Sequence, residues 1–208
     1  MQKREKRKVN LIKTIGFLLF LLGIVFIVYE VSFNYFEKKI EDEYIESYMK
    51  NYNNEGNSVN IVNSKGNKNN FKSRYVAILD IPKINLKKGL VRATKDFKSI
   101  NHAVSIDKNS KLPNEKGNFI LYAHAGNSKI SYFKNLDKLE VGNEVRIYYL
   151  DKTYSYKVNK KYEIDKTGFL TLNETTSDHN LILVTCVHNT NKQLIIICTL
   201  ENTYWKEW

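Results

Sequence analysis

Two apolar runs of strand length, Leu181-Ile-Leu-Val-Thr-Cys186 and Leu194-Ile-Ile-Ile-Cys198, flank the polar stretch His188-Asn-Thr-Asn191. This is the composition of a β-hairpin. It restricts the fold strongly, because a hairpin about 188–191 fixes which residues face each other. Cys186 falls opposite Gln193, and Cys198 opposite Leu181. The two thiols are then about five rungs apart, roughly 16 Å at ~3.3 Å per residue. A disulfide needs Cα atoms within about 7 Å, so Cys186 is expected to be a free thiol. It ends a strand beside a turn, where solvent can reach it. A cysteine in mid-strand is usually a small buried hydrophobe.

The chain has 208 residues, room for one ordinary domain and an appendage. Its formal charge is +11, from 33 basic and 22 acidic residues. Much of the excess lies before residue 14, where Lys3, Arg4, Lys6, Arg7, Lys8 and Lys13 stand against Glu5. The remainder is dispersed, without a basic helix or a base-stacking module. That argues against a nucleic-acid partner. Two cysteines do not make a disulfide framework.

Residues 11–29 are almost wholly apolar, unbroken from Ile15 to Tyr29, with Lys13 able to snorkel to an interface. At ~1.5 Å per helical residue they nearly match a hydrocarbon core of about 30 Å. Apolar side chains run all round this helix, unlike those of a helix buried on one face. No small-residue cleavage site follows Tyr29. The expected organisation is a basic cytoplasmic tail (1–10), a transmembrane anchor (11–29), a helical stalk with an asparagine-rich linker (30–73), and a folded domain (74–208). The positive-inside bias places that domain outside the cell. Ile40, Tyr44, Ile45 and Tyr48 share one stripe of the stalk, and nine asparagines among residues 51–70 mark the linker. Such a linker buries too little to order itself.

Within 74–208, Tyr75–Ile81 reads as a strand stopped by Pro82, with short strand material at 84–86 and 89–91. Phe97–Val104 is expected to be a short helix, Gly117–His124 a strong strand, and 129–139 a second short helix. Glu144–Leu150 and Thr153–Lys160 alternate as a hairpin turning at Asp151-Lys152, and 161–171 continues as strand. The fold class is all-β, a barrel or sandwich with small helices.

A nucleophilic cysteine needs a base or a cationic partner to hold it as thiolate. Of the four histidines, His102 falls in an expected helix, His179 in a polar loop and His188 in the turn, whereas His124 ends the strong strand. Histidine and cysteine at the ends of two barrel strands can meet on one rim.

Here the chain resembles the sortases, membrane-anchored cysteine transpeptidases of Gram-positive bacteria. Leu183-Val-Thr-Cys186 is similar to the end of their Thr-Leu-x-Thr-Cys signature, with Ile182 at the first position. Phe119-Ile-Leu-Tyr-Ala-His124, followed by Phe133, Leu136, Leu139 and Gly142, is similar to their histidine strand and the segment after it, with Ala123 at a usual glycine. Ile81-Pro-Lys-Ile-Asn-Leu86 resembles their first hairpin, and Leu112-Pro-Asn-Glu-Lys-Gly-Asn118 the approach to the histidine strand. The resemblance covers about 74–200 in order. It implies an eight-stranded β-barrel with short helices after an N-terminal transmembrane helix. It implies Cys186 as nucleophile on an LPxTG-like sorting signal, and His124 as acid, then base. The acyl group would pass to an amine of a peptidoglycan precursor or a pilin. The partners implied are secreted proteins with a C-terminal sorting signal, and no metal or organic cofactor takes part.

Sortases also carry an arginine on the strand after the cysteine. This chain has five arginines, Arg4, Arg7, Arg74, Arg92 and Arg146, all before Cys186. The hairpin register puts Gln193 in that place, a donor of two N–H bonds without charge. Gln193 is therefore the candidate third catalytic residue. Thr185 and Lys192 are candidates for substrate binding, Lys192 the weaker because adjacent strand residues point to opposite faces. The alternative is a catalytically weak sortase-like domain that binds peptide signals or wall polymer. No Asp-Pro-aromatic lid motif precedes residue 74, which argues against the usual pilin-polymerising class.

Overall fold

The computed structural model describes residues 2–54, 75–93, 98–101, 103–166 and 179–205. The linker after Asn54, His102 and residues 167–178 lie outside them, as does the end of the strand expected at 161–171. The chain divides into two compact units, residues 1–43 and 44–208.

The first unit is helical, part of a single helix α1, Gln2–Asn54. From Lys13 onward this helix reaches a mean hydropathy of 2.4 and is long and apolar enough to cross a membrane. Its large side chains, from Ile15 through Phe20 and Phe26 to Phe36, are exposed. A bilayer satisfies such a helix, because every backbone polar group is bonded within the segment.

The second unit opens with the last turns of α1. Ile45 is buried there, and Tyr48 Oη donates to the carbonyl of Val76 at 3.0 Å. The stripe read in the stalk is therefore used in its C-terminal half, while Ile40 stays exposed.

Eight strands follow: β1 (Ala77–Ile81), β2 (Leu86–Arg92), β3 (Val104–Ile106), β4 (Gly117–Tyr122), β5 (Glu144–Tyr149), β6 (Lys152–Asp165), β7 (His179–Cys186) and β8 (Lys192–Trp205). They close a barrel in the order β1-β2-β3-β4-β7-β8-β6-β5. Strict alternation builds it. Phe119 and Leu121 of β4, Leu181 and Leu183 of β7, and Leu194, Ile196 and Cys198 of β8 all point inward to one core. Each fully buried Leu or Ile stabilises by roughly 1.5–3 kcal/mol. Gly89 of β2 is required by close approach, since a Cβ there would sit 2.3 Å from the Tyr75 ring.

Three expectations shift. Phe97–Val104 is not one helix: a 3-10 turn covers Lys98–Asn101, and Val104 begins β3. Val104 pairs in parallel with Leu90 and is fully buried, so tertiary pairing decides a three-residue segment too short to show a period. The segment 129–139 forms turns ending in a 3-10 turn at Leu136–Lys138. Lys161 Nζ donates to the carbonyls of Asp137 and Leu139, closing that end. The β5–β6 hairpin turns at Leu150-Asp151, one residue earlier than expected, with Leu150 at φ 55°.

Two rims result. At one, parallel β4 and β7 both end and β8 begins; at the other, β1 begins, β5 turns into β6, and β8 ends.

Candidate active site

The β7–β8 register is the one read from the sequence: Cys186 faces Gln193 and Leu181 faces Cys198. Both cysteines are free thiols; Cys186 is half-buried and Cys198 buried. Burial pushes the Cys198 thiol up to about 12. The turn after Cys186 is closed by Val187 N–H donating to the Lys192 carbonyl at 2.9 Å, with Asn189 at φ 57°.

His124 arrives from β4. The β4–β7 ladder pairs Tyr122 with Val184, and Ala123 N–H then donates to the Val184 carbonyl at 3.4 Å. Beyond these pairs the chain runs on to His124 after β4 and to Cys186 at the end of β7, on the same rim. Thr185 is buried and turned to this seam, its Oγ1 donating to the Ala123 carbonyl at 2.9 Å. Thr185 thus ties the histidine strand to the cysteine strand. The carbonyl of His124 accepts from Phe133 N–H at 3.0 Å, which fixes its backbone from the other side.

The sequence reading missed Asn101. Its Oδ1 lies 3.0 Å from His124 Nε2. In the tautomer with its hydrogen on Nε2, the ring donates to that oxygen. Asn101 closes the 3-10 turn before β3, and that turn is pinned by Ser105 Oγ donating to Ser99 Oγ at 2.9 Å in the buried interior. No local signal marks this asparagine, because the contact spans 23 residues.

Gln193 and Lys192 separate as strand alternation requires. Gln193, half-buried, shares the outer face with Cys186; Lys192 points the other way, its Nζ 3.4 Å from Glu163. The described barrel arginines, Arg92 and Arg146, stand on β2 and β5, and Arg146 is bound by Glu144 and Asp80. His188, in the turn, lies against the loop after His124: a Cβ on Gly126 would be 3.6 Å from His188 Nδ1.

Behind Cys186, the outer face of β4, β7, β8 and β6 is apolar. Ile182, Val184, Ile195 and Ile197 form its buried centre, with Ile120, Tyr122, Tyr162 and Ile164 packed on it. Burial, with the Asp107 charge adding, pushes the Tyr122 hydroxyl up to about 12, so this wall stays neutral at working pH. The arrangement is a thiol and an imidazole at the mouth of an uncharged strip. Among the described residues, no group of three or more His, Cys, Asp or Glu is placed to hold a metal ion.

A family model described as a sortase domain matches residues 79–201. Sortase D of Bacillus subtilis (strain 168) is 31% identical over 140 residues, covering 62% of this chain and 67% of that protein. Among solved structures, the Clostridium perfringens Sortase D5 transpeptidase aligns with TM-score 0.59 and 21% identity, over 79% of this chain and 99% of its own. Listeria monocytogenes sortase A aligns with TM-score 0.56 and 21% identity, over 64% and 91%.

Proposed function

The chain belongs to the sortase family, and on that premise we propose that it is a membrane-anchored cysteine transpeptidase acting on sorting-signal peptides. The observation that carries the proposal is the parallel pairing of β4 and β7 as far as Tyr122 and Val184, each two residues before His124 and Cys186. Residues 11–29 of α1 anchor it, the basic tail stays inside, and the barrel faces outward.

The Cys186 thiolate attacks the carbonyl carbon of an LPxTG-like peptide. The tetrahedral oxyanion collapses, the C–N bond breaks, and the imidazolium of His124 gives its proton to the leaving amine. A thioester on Cys186 remains. An amine of a peptidoglycan precursor or a pilin then attacks it, loses a proton to His124, and leaves with the acyl group as a new amide. With Nε2–H held by Asn101, Nδ1 is the nitrogen that exchanges these protons.

Gln193 serves as the oxyanion donor from the strand opposite Cys186. The partly exposed margin of the apolar strip, Ile120, Tyr122, Tyr162 and Ile164, receives the apolar part of the signal. Thr185 acts by holding the two site strands together. Lys192, engaged by Glu163, contributes from the rim.

The test is incubation of the full chain with candidate sorting peptides and an amine acceptor, read by mass spectrometry. A peptide adduct on Cys186, resolved by the amine, is the expected outcome. Persistent absence of an adduct while the peptides still bind would favour the second reading, a catalytically weak binding domain. The observation favouring that reading is Gln193 at the place where sortases carry arginine.

A further inference from the structure

Two residues past Cys186 stands a histidine that the transfer chemistry leaves unused. His188 is exposed, in the tight turn before β8. Two residues past His124 stands Gly126, and the two followers meet. A Cβ on Gly126 would lie 3.6 Å from His188 Nδ1 and 3.9 Å from its Cε1. Gly126 holds φ 111°, a conformation open to glycine and costly for other residues. The imidazole thus packs against the bare side of that glycine.

Both supports are braced. Ser131, buried, donates through Oγ to the Ala125 carbonyl at 3.2 Å and lies 2.8 Å from Ser128 Oγ, which ties the loop that carries Gly126. The turn is held by Val187 N–H on the Lys192 carbonyl at 2.9 Å and by Thr190 Oγ1 on the Val187 carbonyl at 3.1 Å. Two residues of chain span at most about 7 Å. A second imidazole is therefore kept beside the residue that bears the thiol, and open to water. The other ionisable side chains of 125–131 and 187–192 are Lys129 and Lys192, and Lys192 is turned to Glu163.

A proton count gives this imidazole a task. At neutral pH an alkylamine arrives as an ammonium. It must shed one proton before its lone pair can attack the thioester carbonyl carbon. It sheds a second as the new C–N bond forms and the C–S bond breaks. That second proton returns to His124, restoring the imidazolium beside the Cys186 thiolate. One neutral imidazole accepts one proton, so His124 takes only one of the two.

We propose that His188 takes the other, acting as the base that readies the incoming amine and then passing that proton to water. The proposal rests on the transpeptidase reading. It brings the amine in between the turn before β8 and the loop after His124. It fits a strongly basic acceptor of the lysine side-chain type, which is almost wholly protonated at neutral pH.

The test uses the full chain, first acylated on Cys186 by a cleavable sorting peptide. Resolution of the thioester is then followed against pH by mass spectrometry. Two nucleophiles are compared: a lysine-type amine, protonated up to about pH 10, and hydroxylamine, which is neutral at pH 7 and has no first proton to lose. With His188 in place, the rate with the lysine-type amine is expected to level off above neutral pH. His188→Gln keeps a polar side chain in the turn and still forms the Cys186 adduct. It is expected to be resolved by the lysine-type amine about a hundredfold more slowly at pH 7. Its rate then climbs about tenfold per pH unit as neutral amine appears. Hydroxylamine is expected to resolve both proteins alike. Equal pH profiles of wild type and variant with the lysine-type amine would overturn the proposal and leave the transpeptidase standing. Equal losses with both nucleophiles would make His188 a brace of the turn, and would also overturn it. Absence of a Cys186 adduct in the wild type would remove both readings.

Discussion

Asn101 holds His124 by its Nε2–H, at 3.0 Å, from a 3-10 turn 23 residues earlier in the chain. The bond sets the tautomer and limits rotation of the ring. An imidazole so held keeps one nitrogen for proton transfer at a fixed angle. Asn101→Ala is expected to lower kcat by roughly tenfold, less than the loss of the acid–base group itself, with KM little changed. Asn101→Asp keeps an acceptor beside the ring and is expected to retain more activity than the alanine variant. Full activity in the alanine variant, from steady-state turnover of a cleavable peptide, would show that Asn101 does not position the ring.

The two thiols should behave oppositely. Cys198 is sealed in the core, its pKa pushed up to about 12 by burial, and Cys186 stands at the rim. A thiol reagent at pH 8 is expected to label the native protein once, at Cys186. Cys186→Ala should remain unlabelled until denaturant opens the barrel. Native labelling of Cys198, mapped by peptide mass, would contradict the packing.

Gln193 supplies the test of the missing arginine. Loss of a full oxyanion donor costs about 3–4 kcal/mol, and a neutral amide recovers part of that. Gln193→Ala is expected to lower peptide turnover by one to two orders of magnitude at most. Gln193→Arg should preserve or raise it. Equal rates in wild type and the alanine variant, from single-turnover acylation of Cys186, would exclude Gln193 as donor.

Glu144 gives a pH dependence with a definite sign. The Arg146 guanidinium hydrogen-bonded to it holds its carboxyl below the usual range, against an opposing effect of burial that the Ser155 hydrogen bond partly offsets. Because the folded pKa is the lower one, the stabilisation is present above the unfolded value of about 4.3. It fades as pH falls through the folded value. Urea unfolding should find Glu144→Gln less stable than wild type at pH 7. The difference should be smaller at pH 3. The exposure of this pair keeps the effect modest. A gap that widened in acid would reverse the assignment.

What could be read in the sequence depended on how local its cause was. The Cys186–Gln193 register follows from alternation about one turn, and the barrel pairs them as expected. The tryptophan-free apolar run of α1 announces itself by composition. Val104–Ile106 did not, because three residues carry no period and owe their conformation to Leu90 and Tyr122 on neighbouring strands. Leu150 was misplaced by one residue, since leucine at positive φ contradicts turn preferences. Asn101 was invisible for a different reason. Its partner lies beyond β3 and the long segment to β4, and only closure of the sheet brings them together.

The parallel seam between β4 and β7 also governs timing. His124 is synthesised well before Cys186, and parallel neighbours must wait for the whole intervening crossover. Such non-local pairing forms late in folding. A nascent chain with β1 to β6 already made still has no thiol beside its histidine. The two strands that end in His124 and Cys186 therefore come together only when the final hairpin slots into the gap between β4 and β6 and the barrel closes.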